Sequence, residues 1–309
     1  MLSSIFFLIL GSMGLYFGSE WLIDGAKALA KKIKVSDLVI GLTIVSIGTS
    51  FPELVVGLIS AFQGYTDFVV GNVLGSNIAN IGLAIGLPAF FYKIDFNLKG
   101  ATAPFVYNLL ACIMLHIFLQ DNLISFVEAQ ALILVFFVYI IASFLRPNIT
   151  SCDGELEIEE DLCLKKAVGR IVAGSAMLYY GSLLFVDNGA IPLVEVFGFS
   201  EKAIGMTVVA IGTSLPELFV TLMALSKKEV GISLGNIIGS NIFNILFVLA
   251  TIALVTPLQT SNVVFELVLG VGFLLSLMLF IYLYNGLNRM TAAFLFVGYI
   301  TFLYLQFYG

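Results

Sequence analysis

The chain has 309 residues, 60% of them hydrophobic and 11% charged, with a mean hydropathy of +1.07 and a formal net charge of −6. A soluble domain averages about 45–50% apolar and roughly 25% charged, so an ordinary soluble enzyme is excluded. No basic patch suits nucleic acid, and the apolar runs are long and continuous instead of alternating as in a β-barrel, which leaves an all-α polytopic membrane protein.

The first apolar stretch begins at Ile5, with no Lys or Arg before Lys27. A secretory signal carries a positive n-region, so this stretch is read as a retained helix. Ten apolar segments follow one another near 4–26, 36–62, 68–91, 101–119, 124–145, 166–187, 202–225, 230–256, 263–284 and 290–308. Each can cross a ~30 Å hydrocarbon core at about 1.5 Å per residue. Connections are short except for Arg146 to Lys166, where six acids lie between Asp153 and Asp161. That run reads as a solvated linker. Cys112, Cys152 and Cys163 lack metal-site or paired spacing and are expected to be free thiols. The single histidine, His116, lies in an apolar run and is expected to be an interior residue without a ligand role.

Thirteen of the fourteen Lys and Arg residues fall on one side of the alternating segments, Lys202 being the exception. The positive-inside rule then places both termini outside and the central linker in the cytoplasm. A prokaryotic cell membrane suits so compact a chain.

An internal repeat organises the whole chain. Residues 41–54 read GLTIVSIGTSFPEL and residues 205–218 read GMTVVAIGTSLPEL. Downstream, GNVLGSNIANI at 71–81 matches GNIIGSNIFNI at 235–245, at the same offset of 164 residues. The expected organisation is a five-helix repeat at 1–146, a cytoplasmic acidic linker at 147–165 and a second five-helix repeat at 166–309. An odd number of helices per half makes the two repeats inverted. Inverted repeats with interrupted helices at matching positions point to a secondary transporter with a midplane site.

Glu53 and Glu217 sit inside apolar segments with no Lys or Arg in those segments to pair with them. Such charges usually mark ion pathways, and the missing partner is most simply a soluble cation. Pro52 and Pro216 precede the glutamates and deprive the carbonyls of Gly48 and Gly212 of their usual donors. A bare proline kink is the plainer reading of either motif alone. Thr49 and Glu53 are four apart, as are Ser46 and Ser50, so each pair shares a helix face. Asn72, Ser76 and Asn80 form a stripe that Asn236, Ser240 and Asn244 repeat. Such stripes also serve helix packing, and Gly71/Gly75 or Gly235/Gly239 would suit it. The inventory is all oxygen, which fits Ca²⁺ with its six to eight flexible ligands better than Mg²⁺ or a soft metal.

With these motifs the chain resembles the Ca²⁺/cation antiporter superfamily, and more closely its sodium/calcium exchanger branch. The doubled GTSxPEL core carries the resemblance. It implies Na⁺-for-Ca²⁺ antiport by alternating access, with the first and sixth helices sliding across the rest. It implies Glu53 and Glu217 as shared carboxylates, with hydroxyls or carbonyls from Thr49, Thr213, Ser50 and Ser214. Ser46 and Ala210 would offer backbone carbonyls, Ser76 and Ser240 would complete the sodium positions, and Asn80 and Asn244 would face the middle. Neither a cofactor nor an obligate protein partner is implied; the partners are Ca²⁺, Na⁺ and the lipid bilayer. Many relatives carry Asp at Asn244 or Asn80, so the family's three-to-one electrogenic exchange is not assured here. Rival readings are a Ca²⁺/H⁺ exchanger using the same glutamates and a passive cation channel. No motif of an intramembrane enzyme is present.

Overall fold

A computed structural model gives the fold and describes residues 2–96, 102–145, 163–192, 210–260 and 264–308. The acidic run, Cys152, Lys99 and Lys202 lie outside these residues. Helix α1 spans Leu2–Ile33. A bent pair follows, α2 at Asp37–Thr49 and α3 at Phe51–Phe62, with 41° between them. Next come α4 (Thr66–Phe90), α5 (Thr102–Asp121), α6 (Phe126–Leu145) and α7 (Leu164–Ala190). A second pair, broken at Ser214, is α8 (Ala210–Thr213) with α9 (Leu215–Ser226). Helices α10 (Val230–Val255), α11 (Val264–Tyr284) and α12 (Arg289–Tyr308) complete the chain.

Among the described residues, six helices are long and apolar enough to cross a membrane, or seven with the α2–α3 pair counted as one span. Three shorter apolar helices accompany them, at Leu215–Ser226, Val268–Tyr284 and Arg289–Leu305.

The protein is sorted into a centre and a shell. The most apolar windows of α4 and α10 are 78% and 83% buried, against 33% or less for α1, α5, α6 and α7. Lipid is as apolar as Leu, so burial here reflects packing and polar contacts more than escape from solvent. The shell helices turn Phe6, Ile9, Trp21, Ile117, Leu134 and Val172 outward, as hydrocarbon allows. The two stripe-bearing helices lie in the middle because their polar residues need protein neighbours.

Two helix seams bring backbones into direct contact at glycines. A Cβ on Gly174 of α7 would lie 2.6 Å from the backbone nitrogen of Leu22, so α1 and α7 meet backbone to backbone. A Cβ on Gly239 of α10 would lie 2.5 Å from the carbonyl oxygen of Leu42, so α10 rides as closely on α2. This is the small-residue packing expected between helices in lipid. Gly71 and Gly75, by contrast, have no described atom within 4 Å of such a Cβ.

Short antiparallel pairings tie loops together. Strand β1 (Ile94–Asp95) pairs with β4 (Gly286–Leu287), and β2 (Leu123–Ile124) with β3 (Leu258–Gln259). Thr66 Oγ1 also donates to the Gln259 carbonyl at 2.8 Å, and Thr260 Oγ1 to Asp67 at 2.7 Å. Ion pairs join the C-terminal part of α1 to the α9–α10 connection. Lys27 meets Glu229 at 2.6 Å, and Lys227 meets Asp24 at 2.6 Å and Glu20 at 3.8 Å. These contacts tie the loops into three separate sets.

His116 departs from its expected place. It is exposed on α5, beside the Gln120 amide at 3.3 Å, so it lies on the outward face of a helix whose other face is buried. Cys112 and Cys163 are free thiols.

Candidate functional site

Both pairs break in the same way. Ser50 has φ −87° and ψ 11°, and Ser214 has φ −89° and ψ 1°. This is the sparsely populated bridge region, where active-site residues often sit. Pro52 and Pro216 then take the second position of α3 and α9, where the missing N–H is tolerated. The prolines therefore start a new helix instead of kinking a continuous one. Freed carbonyls follow at the break. That of Gly212 accepts from Ser182 Oγ of α7 at 2.7 Å.

Four π-helical segments lie close to these elements: Gly41–Val45, Asn80–Ile85, Leu184–Ala190 and Asn244–Leu249. Those beginning at Asn80 and Asn244 occupy matching places in the two halves. Such π-turns concentrate at functional sites because they shift backbone and side chains off the regular register. In the first, Leu42 uses its carbonyl to accept from Tyr139 Oη at 3.0 Å.

The packing is crosswise. Ser46–Thr49 lies on Val230–Phe243 of α10, and α8 lies on Thr66–Ala79 of α4. The segment Phe51–Phe62 packs on Asn244–Leu249, and Leu215–Ser226 on Asn80–Ile85. Helices α1 and α7 lie over the breaks, α1 against Leu215–Ser226 and α7 against Ser46–Thr49.

Eight of the twelve residues singled out as ligands hydrogen-bond to a residue of the other half. Thr49 Oγ1 approaches Asn236 Oδ1 at 3.0 Å, Ser240 Oγ at 3.2 Å and the Ser46 carbonyl at 3.2 Å. Thr213 Oγ1 lies 3.4 Å from Ser76 Oγ. Ser50 Oγ donates to Glu217 Oε1 at 2.9 Å. Asn80 Nδ2 donates to Asn241 Oδ1 at 2.9 Å, and Asn244 Nδ2 to Asn77 Oδ1 at 3.1 Å. Two of these contacts recur with the halves exchanged, Thr49–Ser240 as Thr213–Ser76 and Asn80–Asn241 as Asn244–Asn77, whereas Ser50–Glu217 has no Ser214–Glu53 counterpart. Contacts that recur in this exchanged form are what a two-fold relation between halves would produce. Ala210 begins α8 beside this cluster, and only its backbone is described.

Glu53, Glu217, Ser50, Ser214, Thr49, Ser76, Ser240, Asn80 and Asn244 are buried, with Ser46 and Thr213 nearly so. The two carboxylates are near enough to repel one another, and Ser76 lies near Glu53 while its hydroxyl pairs with Thr213. Six oxygens among these residues have no hydrogen-bond donor: both of Glu53, Glu217 Oε2, Asn80 Oδ1, Asn244 Oδ1 and Ser214 Oγ. Buried polar atoms are nearly always satisfied, and an orphaned carboxylate in low dielectric is costly. Oxygens gathered from both halves and lacking donors are what a bare hard cation requires. Asn72 and Asn236 instead leave amide nitrogens unpaired, so their nitrogens are no ligands.

The sequence pattern of the sodium/calcium exchanger protein family matches residues 3–145 and again 166–308. The chain belongs to that family. This exchanger is 30% identical to sodium/calcium exchanger MaX1 of Methanosarcina acetivorans across 97% of each chain. It is 36% identical to a protein named antiporter CaxA of Alkalimonas amylolytica, across 83% of this chain and 82% of the other. Its fold matches a structure of the sodium-calcium exchanger NCX_Mj soaked with zero Na⁺ and Ca²⁺, with a TM-score of 0.83, at 30% identity over 99% of both chains. The exchanger is thus an integral membrane transporter of the Ca²⁺/cation exchange class, mostly helical, with at least six or seven apolar spans.

Two residues that pair across the centre, Asn77 and Asn241, were not singled out from the sequence. They follow Ser76 and Ser240 directly and so fall off the four-residue stripe. Their recurrence at the shared offset of 164 residues was the available signal.

Proposed function

We propose that the protein exchanges Na⁺ for Ca²⁺ by alternating access at the site between the two broken spans. The observation that carries this reading is the set of six donor-free buried oxygens built around Glu53 and Glu217. Two carboxylates neutralise one Ca²⁺, and their three donor-free oxygens with the three neutral ones of Asn80, Asn244 and Ser214 make the six that Ca²⁺ takes at the least. Glu53 and Glu217 are the carboxylates that Ca²⁺ and Na⁺ share. Thr49, Thr213, Ser50 and Ser214 supply hydroxyls or carbonyls, Ser46 and Ala210 supply carbonyls, Ser76 and Ser240 complete sodium positions, and Asn80 and Asn244 lie between. A site filled by either ion can change its access, whereas an empty one leaves two bare charges in a low dielectric. That asymmetry is what couples the two fluxes.

The reading includes ten spans in two inverted repeats, 1–146 and 166–309, joined by a cytoplasmic linker at 147–165, with both termini outside. The seven apolar spans with the three shorter apolar helices support the count. The double match of the family pattern and the two-fold contacts support the division. The names of relatives such as MaX1 and NCX_Mj support Na⁺ as the coupling ion.

The test is ⁴⁵Ca²⁺ uptake into proteoliposomes loaded with Na⁺, K⁺ or choline, repeated with Glu53→Gln and Glu217→Gln. Uptake only from Na⁺-loaded vesicles, abolished by either substitution, is expected. Equal uptake from choline-loaded vesicles would sink sodium coupling, and an imposed pH gradient would then decide between proton exchange and a channel.

A further inference from the structure

Asn77 and Asn241 are 6% and 3% exposed and face each other across the two-fold. Asn77 Nδ2 donates to the Asn241 backbone carbonyl at 3.1 Å, and Asn241 Nδ2 to the Asn77 backbone carbonyl at 3.2 Å. A carbonyl can only accept, so these two bonds fix which end of each amide is nitrogen. The oxygen of each amide is thereby turned the other way. It accepts from Asn80 Nδ2 in one case and Asn244 Nδ2 in the other, at 2.9 and 3.1 Å. The second step fixes the second pair of amides. Their nitrogens are committed, and Asn80 Oδ1 and Asn244 Oδ1 are left buried without a donor.

We infer that Asn77 and Asn241 are positioning residues that set the polarity of the central site, holding the Asn80 and Asn244 amides so that only their oxygens are available to a cation. This rests on the cation-exchange reading above. Asn80–Ile85 packs on the helix of Glu217, and Asn244–Leu249 on the helix of Glu53. An amide free to turn in that place could offer its N–H to a carboxylate and stand in for the missing cation. With the nitrogens held on Asn77 and Asn241, the empty site has no internal substitute for its cargo. The clamp therefore serves coupling as well as affinity. It disfavours the empty carrier, whose return would let Ca²⁺ leave without Na⁺ entering.

The test compares Asn77→Ala, Asn241→Ala, Asn244→Asp and the double variant Asn77→Ala/Asn244→Asp, each checked for a monodisperse gel-filtration peak. Ca²⁺ binding to purified protein is measured by titration calorimetry, and ⁴⁵Ca²⁺ efflux from proteoliposomes into medium lacking Na⁺ and Ca²⁺ is followed in parallel. Either alanine variant is expected to weaken Ca²⁺ binding about tenfold, the scale of one lost hydrogen bond, and to gain Na⁺-independent efflux. In the Asn244→Asp background there is no amide nitrogen to hold, and Asn77→Ala should then change binding less than about twofold. Equal loss in both backgrounds would reveal a packing role and overturn the inference, as would an alanine variant with wild-type binding and no efflux. Should the alanine variants fail to fold, Asn77→Asp keeps the acceptor for Asn244 and is expected to show no efflux; efflux there would overturn the inference. The calorimetric arm reads the clamp whichever ion drives transport, whereas absence of Na⁺-driven uptake by the wild-type protein would count against the exchange reading alone.

Discussion

On the alternating-access reading, removing Lys27 should favour the arrangement in which α1 parts from the α9–α10 connection. Lys27 meets Glu229 at 2.6 Å with both side chains about six-sevenths buried, at 15% and 14% exposure. Asp37 lies close enough to feel both charges. An exposed ion pair is worth about 0–1 kcal/mol, and stripping one partner from a fully buried pair costs about 3–5 kcal/mol. This pair lies between those limits, so Lys27→Met should cost about 2 kcal/mol in the closed arrangement, with Glu229 left beside Asp37 unneutralised. When α1 parts from the α9–α10 connection both carboxylates regain water, so the cost is specific to the closed arrangement. A 2 kcal/mol bias multiplies the open population about thirtyfold. Ser233 is buried on α10 one turn beyond Glu229, which makes Ser233→Cys a reporter in a background lacking the three native cysteines. The rate of modification by a charged methanethiosulfonate is the assay. Lys27→Met should raise that rate about thirtyfold when opening precedes reaction, and Lys27→Arg should keep it near the parent's. A rise below about threefold, or Arg behaving as Met does, would refute the latch.

Three further outcomes are expected. Ser182→Ala strips the donor from the Gly212 carbonyl, 2.7 Å away, and should cost about 1 kcal/mol; an unchanged melting temperature in detergent would contradict it. Gly174→Ala drives a Cβ to 2.6 Å from the backbone of α1 and should cost about 1–3 kcal/mol by overpacking. The same thermal measurement decides it, and a wild-type melting temperature would mean the helices do not touch there. Because the site is lined by oxygens of flexible side chains, Sr²⁺ should compete for ⁴⁵Ca²⁺ uptake and Mg²⁺ should not, since Mg²⁺ dehydrates reluctantly. Equal inhibition by Mg²⁺ would mean a smaller and stiffer site.

Much of this was legible from spacing. The doubled GTSxPEL core located both chain breaks, because a proline four residues after a glycine cannot complete the helical ladder at either place. Hydropathy marked the described apolar helices, although α1 runs on to Ile33, seven residues past its expected end. What escaped depends on partners distant in sequence. Lys227 finds Asp24 across 203 residues, and nothing in the local pattern of either names the other. The π-segments starting at Asn80 and Asn244 carry no mark of their own, and each packs on a helix of the other half. Asn77 and Asn241 escaped because a four-residue stripe describes one helix face, and their work is done between two. His116 was misplaced because an apolar run reads alike whether it faces protein or lipid.

The seam between α1 and α7 has one more consequence. Two helices in backbone contact have no compressible layer of side chains between them, so a push along one is delivered to the other. One end of the pair holds the Lys227 and Lys27 latch, and the Ser182 bond to the second break lies farther along. On the alternating-access reading the pair works as a single bolt in a double-doored airlock. Drawing it back at one door drives it home at the other, and no separate signal has to pass between the two mouths.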